Sequence, residues 1–119
     1  MTSTELYAVA DFCLIPMGTP TTSVGSYIAE CQRVLSSMAD DGIQYTSRYS
    51  SGYGTNLEGP ISAVWRALQR CHEVVHAMGV GRIATDIRLG TRTDQAAPSN
   101  GCTENQRKRD SVLRRLAAP

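Results

Sequence analysis

Residues 6 to 15 alternate in a way that an extended chain can use. Leu6, Ala8, Ala10, Phe12 and Leu14 form one uniformly apolar set, and Tyr7, Val9, Asp11, Cys13 and Ile15 form the other. Successive side chains of a strand point to opposite faces, so the spacing predicts a strand over Leu6–Ile15 with the first set toward the core. Asp11 stands alone among apolar neighbours in the second set, where an unpaired charge is costly. Two readings stay open for it: an ion pair with an arginine on the next strand, or one wall of a ligand site on an open sheet face.

The period then changes. Pro16-Met17-Gly18-Thr19-Pro20 ends the strand, and Thr21, Thr22 or Ser23 is expected to cap a helix. Val24, Tyr27, Ile28, Cys31, Val34, Leu35 and Met38 recur at helical spacing and make one continuous apolar stripe. Asp40-Asp41-Gly42 stops it, with Gly42 suited to a left-handed position. Ile43 to Tyr49 alternates again and is rich in strand formers. Ser50-Ser51-Gly52 breaks that run, and Tyr53 to Leu57 returns, so the two runs predict a hairpin.

Glu58-Gly59-Pro60 reads as the entry to a second helix, with proline in its first turn. Ile61, Val64, Trp65, Leu68, His72 and Val75 supply its expected apolar stripe, and Gly79 its stop. Arg82 to Leu89 predicts a last strand, Gly90 to Gly101 a polar linker, and Thr103 to Leu116 a basic terminal helix. Only Val112, Leu113 and Leu116 give that helix an apolar edge, so docking by this edge is favoured over a phosphate-binding arm.

Strand, helix, strand, strand, helix, strand is the order of an α+β, ferredoxin-like βαββαβ sandwich. It has a four-stranded antiparallel sheet with two helices on one face, here followed by the C-terminal helix. The domain is expected over residues 1–94, with linker and helix over 95–119. One sheet face then lacks helix cover, and an apolar face of that kind predicts coverage by another subunit.

Composition narrows the function classes. The chain has 119 residues, 41% of them hydrophobic and 19% charged, with a formal net charge of +1. These values fit one folded domain and give no reason to expect a nucleic-acid or membrane partner. No apolar run is long enough to span a bilayer, and the N-terminus lacks a basic region followed by an apolar block, so a cytoplasmic location is expected. Cys13, Cys31, Cys71 and Cys102 form no CxxC pair; reduced thiols are expected, with Cys102 exposed in the polar tail.

One motif argues for different chemistry. His72-Glu73-Val74-Val75-His76 matches the zinc-hydrolase pattern H-E-x-x-H, and Gly79 follows at the spacing of its longer form. The third ligand position holds Arg82, no other histidine exists, and a catalytic zinc needs three protein ligands. His72 also falls in the apolar stripe, facing the sheet. The expectation is therefore no metal site, no catalytic residues and no cofactor.

The motif order resembles the thiamine-binding protein family. The resemblance rests on Pro16-Met17-Gly18-Thr19, on Gly54-Thr55-Asn56-Leu57-Glu58-Gly59, on His72-Glu73, on Gly79 to Arg82, and on Thr85 to Ile87. Val9 to Cys13 and Thr85 to Asp94 look most like fungal members. The link Ser50-Ser51-Gly52-Tyr53 is longer than that family's pattern. The resemblance implies a ferredoxin-like fold, dimers pairing into homotetramers, and non-catalytic binding of thiamine or its hydroxymethylpyrimidine half. An aminopyrimidine needs an acceptor for its exocyclic amine, which Asp11 or Glu58 supplies, while Tyr45 or Tyr49 offers a stacking surface. The candidate ligand set is Asp11, Tyr45, Ser47, Thr55, Asn56 and Glu58. Glu58 also has a structural reading, since a glutamate at a helix start satisfies end N–H groups. The contrasting reading of the whole chain is an assembly module without ligand.

Overall fold

The computed structural model describes residues 5–45, 52–98 and 102–118. Its elements are β1 (Tyr7–Met17), α1 (Gly25–Ser37), a short 3₁₀ turn (Ala39–Asp41), β2 (Gln44–Tyr45), β3 (Thr55–Pro60), α2 (Ile61–Ala77), β4 (Arg82–Thr91) and α3 (Glu104–Ala117). The four strands form one antiparallel sheet in the order β2-β3-β1-β4, which is the ferredoxin-like arrangement. Tyr49, Ser47 and the Ser50–Ser51 part of the hairpin link lie outside the described residues.

Alternation in β1 sets the layers. Ala8, Ala10 and Phe12 are buried and pair across the sheet with Gly59, Leu57 and Thr55, so these six residues share the helix-covered face. Leu6 lies just before the strand and is exposed rather than in the core. α1 contributes Cys31, Val34 and Leu35 to the core, joined by Met38, and α2 contributes Val64, Leu68, Cys71 and Val75. Ala63 and Ala67 are buried as well. These small residues place the packed stripe of α2 on its Val64–Cys71 side.

That placement corrects the expected stripe. Trp65 is 49% exposed and His72 is half-buried at the flank. The two are seven residues apart and so share one edge of the helix, rotated away from the core. The alanines at 63 and 67, weak signals for burial by hydrophobicity alone, mark the true seam.

Boundaries differ where backbone chemistry decides them. Val24, not a hydroxyl residue, occupies the N-cap of α1 and makes no side-chain cap bond. Gly42 closes the 3₁₀ turn in the left-handed region (φ 90°), and Gly79 follows α2 the same way (φ 96°). β3 runs on to Pro60, so Glu58 and Gly59 belong to a strand rather than to a helix entry. Gly59 is required there: a Cβ would stand 2.7 Å from the carbonyl oxygen of Gly42.

Cys31 and Cys71 are buried side by side between the helices, with the Cys71 thiol directed at the Cys31 carbonyl. The hydrogen bond to Cys31 and then burial push the Cys71 thiol well above its ordinary range. Cys102 is half-buried, not exposed, its thiol against the Thr103 carbonyl. No helix among the described residues is long and apolar enough to cross a membrane.

Candidate functional site

The face of the sheet opposite α1 and α2 carries the alternate residues. Register pairs Tyr7 with Pro60, Val9 with Glu58 and Asp11 with Asn56 on one side of β1, and Val9 with Gly90 and Asp11 with Arg88 on the other. Three of the expected ligand residues, Asp11, Asn56 and Glu58, therefore share this open face. Thr55 and Tyr45 do not. Thr55 pairs with Phe12 and Tyr45 with Leu57, which puts both on the helix-covered face. A strand's period of two separates Thr55 from Asn56 as surely as distance would.

Glu58 is the most committed residue of the face. It is 4% exposed. The Tyr7 hydroxyl donates to its Oε1 at 2.6 Å, and the backbone N–H groups of Glu104 and Asn105 donate to Oε1 and Oε2 at 2.5 and 3.2 Å. Burial, and then the bond to Glu58, push the Tyr7 phenol above its ordinary value, so it stays protonated as a donor. The carboxylate thus satisfies the first amides of α3, where an anion also meets the positive end of the helix dipole. The structural reading of Glu58 is realised, on a helix 46 residues downstream rather than on α2.

The rest of α3 is arranged unlike the expected docking. Thr103 caps it, accepting from the Gln106 N–H while the Gln106 side chain accepts from the Thr103 N–H. Its apolar edge is not buried: Val112, Leu113 and Leu116 are all exposed, Leu116 by 76%. The helix is held by its first turn, and a cleft opens between it and the sheet.

Two connected spaces result. The smaller, about 160 Å³, is walled by Tyr7, Val9, Gly90 and Ala96, with the polar side chains of Gln95 and Glu104. The larger, about 800 Å³, continues over Val9, Asp11 and Asn56 beneath the length of α3. Asp11 receives the expected pairing from an arginine on the next strand, a two-pronged bond from Arg88 at 2.9 and 3.3 Å, and it also lines this cleft. Arg92, which lines both spaces, is paired with Asp94; hydrogen bonding to Arg92 holds the Asp94 carboxyl at about 2.

Sequence reasoning missed Tyr7, Gln95 and Glu104, which line the smaller space of this candidate site. Glu104 had a signal, since Thr103 to Gln106 spells a capping box and fixes the helix start. What that start would dock against had none.

The two motif histidines are engaged elsewhere. His72 Nε2 lies 2.7 Å from Thr85 Oγ1, and His76 Nδ1 donates to the Val80 carbonyl at 2.7 Å. Their rings sit 6.3 Å apart and tilted, and Glu73 is exposed. Among the described residues no group of three or more His, Cys, Asp or Glu gathers as a metal site. The pair pins α2 to the start of β4.

Comparison with known proteins agrees with this architecture. The family described as thiamine-binding protein matches residues 10–105, and the chain belongs to it. The UPF0045 protein sll0230 of Synechocystis is 45% identical over 87 residues, covering 73% of this chain and 66% of that protein. The chain thus matches just under two-thirds of that relative's length. The fungal UPF0045 protein ECM15 of Eremothecium gossypii is 33% identical over 91 residues, covering 76% of this chain and 81% of its own. Among solved structures, hypothetical protein MJ1052 from Methanocaldococcus jannascii superposes with a TM-score of 0.71 at 21% identity, covering 90% of this chain and 96% of that one. A putative thiamine biosynthesis/salvage protein from Thermotoga maritima gives a TM-score of 0.55 at 12% identity, covering 70% and 81%. At such identities these two structures share the fold alone.

Proposed function

We propose that this chain is a non-catalytic binding protein for a flat heterocycle, thiamine or its hydroxymethylpyrimidine half, held between the open sheet face and α3. The observation that carries the reading is the smaller space, where an aromatic and aliphatic wall meets the polar side chains of Thr91, Arg92, Gln95 and Glu104. Tyr7, Val9 and Ala96 bury the flat faces of a ring, while Gln95 and Glu104, each holding Arg107 through Oε1, keep further lone pairs as acceptors for an exocyclic amine. Asp11 and Asn56 form the floor of the adjoining space. Family membership and the name of the Thermotoga neighbour both support a small-molecule ligand of this class.

Gly90 provides a clean test. A Cβ at this position meets nothing within 4 Å, and the residue lines both spaces. Gly90→Leu is therefore expected to fold normally and fill the site. Calorimetry should show heat for thiamine or hydroxymethylpyrimidine with the native chain and none with the variant. Absence of heat and of thermal shift at millimolar concentrations of both ligands in the native chain removes the proposal.

Self-association belongs to the same reading. Ile15 and Met17 extend the open face beyond the reach of α3, and both are exposed, as is the apolar edge of α3. A second copy laid on these patches covers them, and pairing of such dimers gives a tetramer. Sedimentation of the native chain as a monomer at micromolar concentration contradicts this part alone.

A further inference from the structure

The face that α3 turns toward its own sheet is basic. Arg107, Lys108, Ser111 and Arg114 all line the larger space, and they recur at the three- and four-residue spacing of one helix face. A helix covering its own domain normally presents an apolar stripe there. Here Val112 is the only apolar side chain that α3 adds to the lining, Leu113 and Leu116 are exposed, and cations look across an open space at the sheet. Arg88 and Arg92 add two more from β4.

Three of these five cations are paired within the chain, and two are not. Five cationic side chains line the cleft against two carboxylates, Asp11 and Glu104. Arg88 is held by Asp11, Arg92 by Asp94 and Arg107 by Glu104. Lys108 and Arg114 enter no ion pair among the described residues. These two cations line the cleft yet stay exposed, so an anion entering from solvent can reach both. Guanidinium groups suit phosphate oxygens, which they meet with paired N–H donors.

The two spaces share Val9, Gly90, Arg92, Gln95 and Glu104, so one ligand can occupy both. Together they fall within the usual range for small-molecule sites, about 300–1,000 Å³. The same charges bear on which ligand fits. Bare thiamine carries a permanent positive charge, which a basic cleft repels, whereas its phosphate esters reverse that balance. We propose that the site takes a phosphate ester of a flat heterocycle, with the ring beside Tyr7 and Val9 and the phosphate beneath α3 against Lys108 and Arg114. This rests on the binding role proposed above and names the form of the ligand.

Calorimetry of the full chain at low and moderate salt tests it, using thiamine, thiamine monophosphate, thiamine diphosphate and inorganic diphosphate. The esters are expected to bind at least tenfold more tightly than thiamine, with an advantage that shrinks as salt rises. Lys108→Ala with Arg114→Ala should erase most of that advantage while leaving thermal stability unchanged. Equal affinity for thiamine and its esters overturns this inference and leaves the binding role standing. Inorganic diphosphate binding as tightly as the esters also overturns it, since the ring then contributes nothing. If none of the four binds, this inference falls, and hydroxymethylpyrimidine alone then decides the binding role.

Discussion

On one face of the sheet Ala8, Ala10, Phe12 and Leu57 are sealed beneath two helices; on the other, Val9, Asp11 and Asn56 stay half-exposed beneath a single helix tied down at its first turn. The two faces come from alternate residues of the same strands, so local strand propensity is common to both. What separates them is the partner. The covered face meets helices through close-packed aliphatic groups, where stability scales with apolar area removed from water. The open face meets its helix through one buried carboxylate and leaves space between. Stability concentrates on the first face, and room for a ligand on the second.

The largest test of that division is Leu57→Ala, at a core position 1% exposed. Loss of its packing is expected to cost about 2–5 kcal/mol, read as a lower denaturant midpoint with an unchanged slope. A cost below 1 kcal/mol, on the scale of an ordinary surface substitution, means that the helix-covered face is not where the stability resides.

Next comes Tyr7→Phe, which removes the phenolic donor to Glu58. A hydrogen bond to a charged group is worth about 1.5–3 kcal/mol. Amide exchange at Glu104 and Asn105 should quicken while α1 and α2 keep their protection. Uniform loss of protection across all helices contradicts the idea of a separately tethered helix.

Asp11→Asn is smaller still. Its Arg88 partner is highly exposed, and exposed pairs contribute about 0–1 kcal/mol. Thermal melts should barely move; a drop of several degrees would make the open face structural.

The smallest effect is electrostatic. Asp94 is held at about 2, below its ordinary 3.8, chiefly by its hydrogen bond to Arg92. A depressed carboxyl stabilises the folded state above its ordinary value and loses that contribution as pH falls through about 2. Since Asp94 is fully exposed, global stability should change little on this account. Carbon NMR of the Asp94 carboxyl should titrate near 2, and a midpoint near 4 rules out the clamp on Arg92.

Much of the covered face was legible in the sequence, because burial of Ala8, Ala10 and Phe12 leaves a period-two signal and Cys31, Val34, Leu35 and Met38 a helical one. Trp65 misled by its size: a large apolar residue at near-helical spacing outweighed the quiet alanines at 63 and 67. Glu58 misled because Gly59-Pro60 after it spells a turn, whereas the glycine serves close strand packing against Gly42. The candidate site was half legible. Asp11 announced itself as a charge in an apolar strand, but Tyr7 and Glu104 become site residues only through a contact between distant parts of the chain. No local pattern encodes where the first turn of α3 will land.

That landing has a consequence for the order of folding. Glu58 points at α3 only once β3 has zipped against β1, since the pairing of Val9 with Glu58 sets which way the carboxylate faces. The terminal helix therefore lacks its Glu58 anchor until β1 and β3 have paired. In a refolding experiment its amides should acquire protection last, making α3 an internal reporter that the central strands have found their alignment.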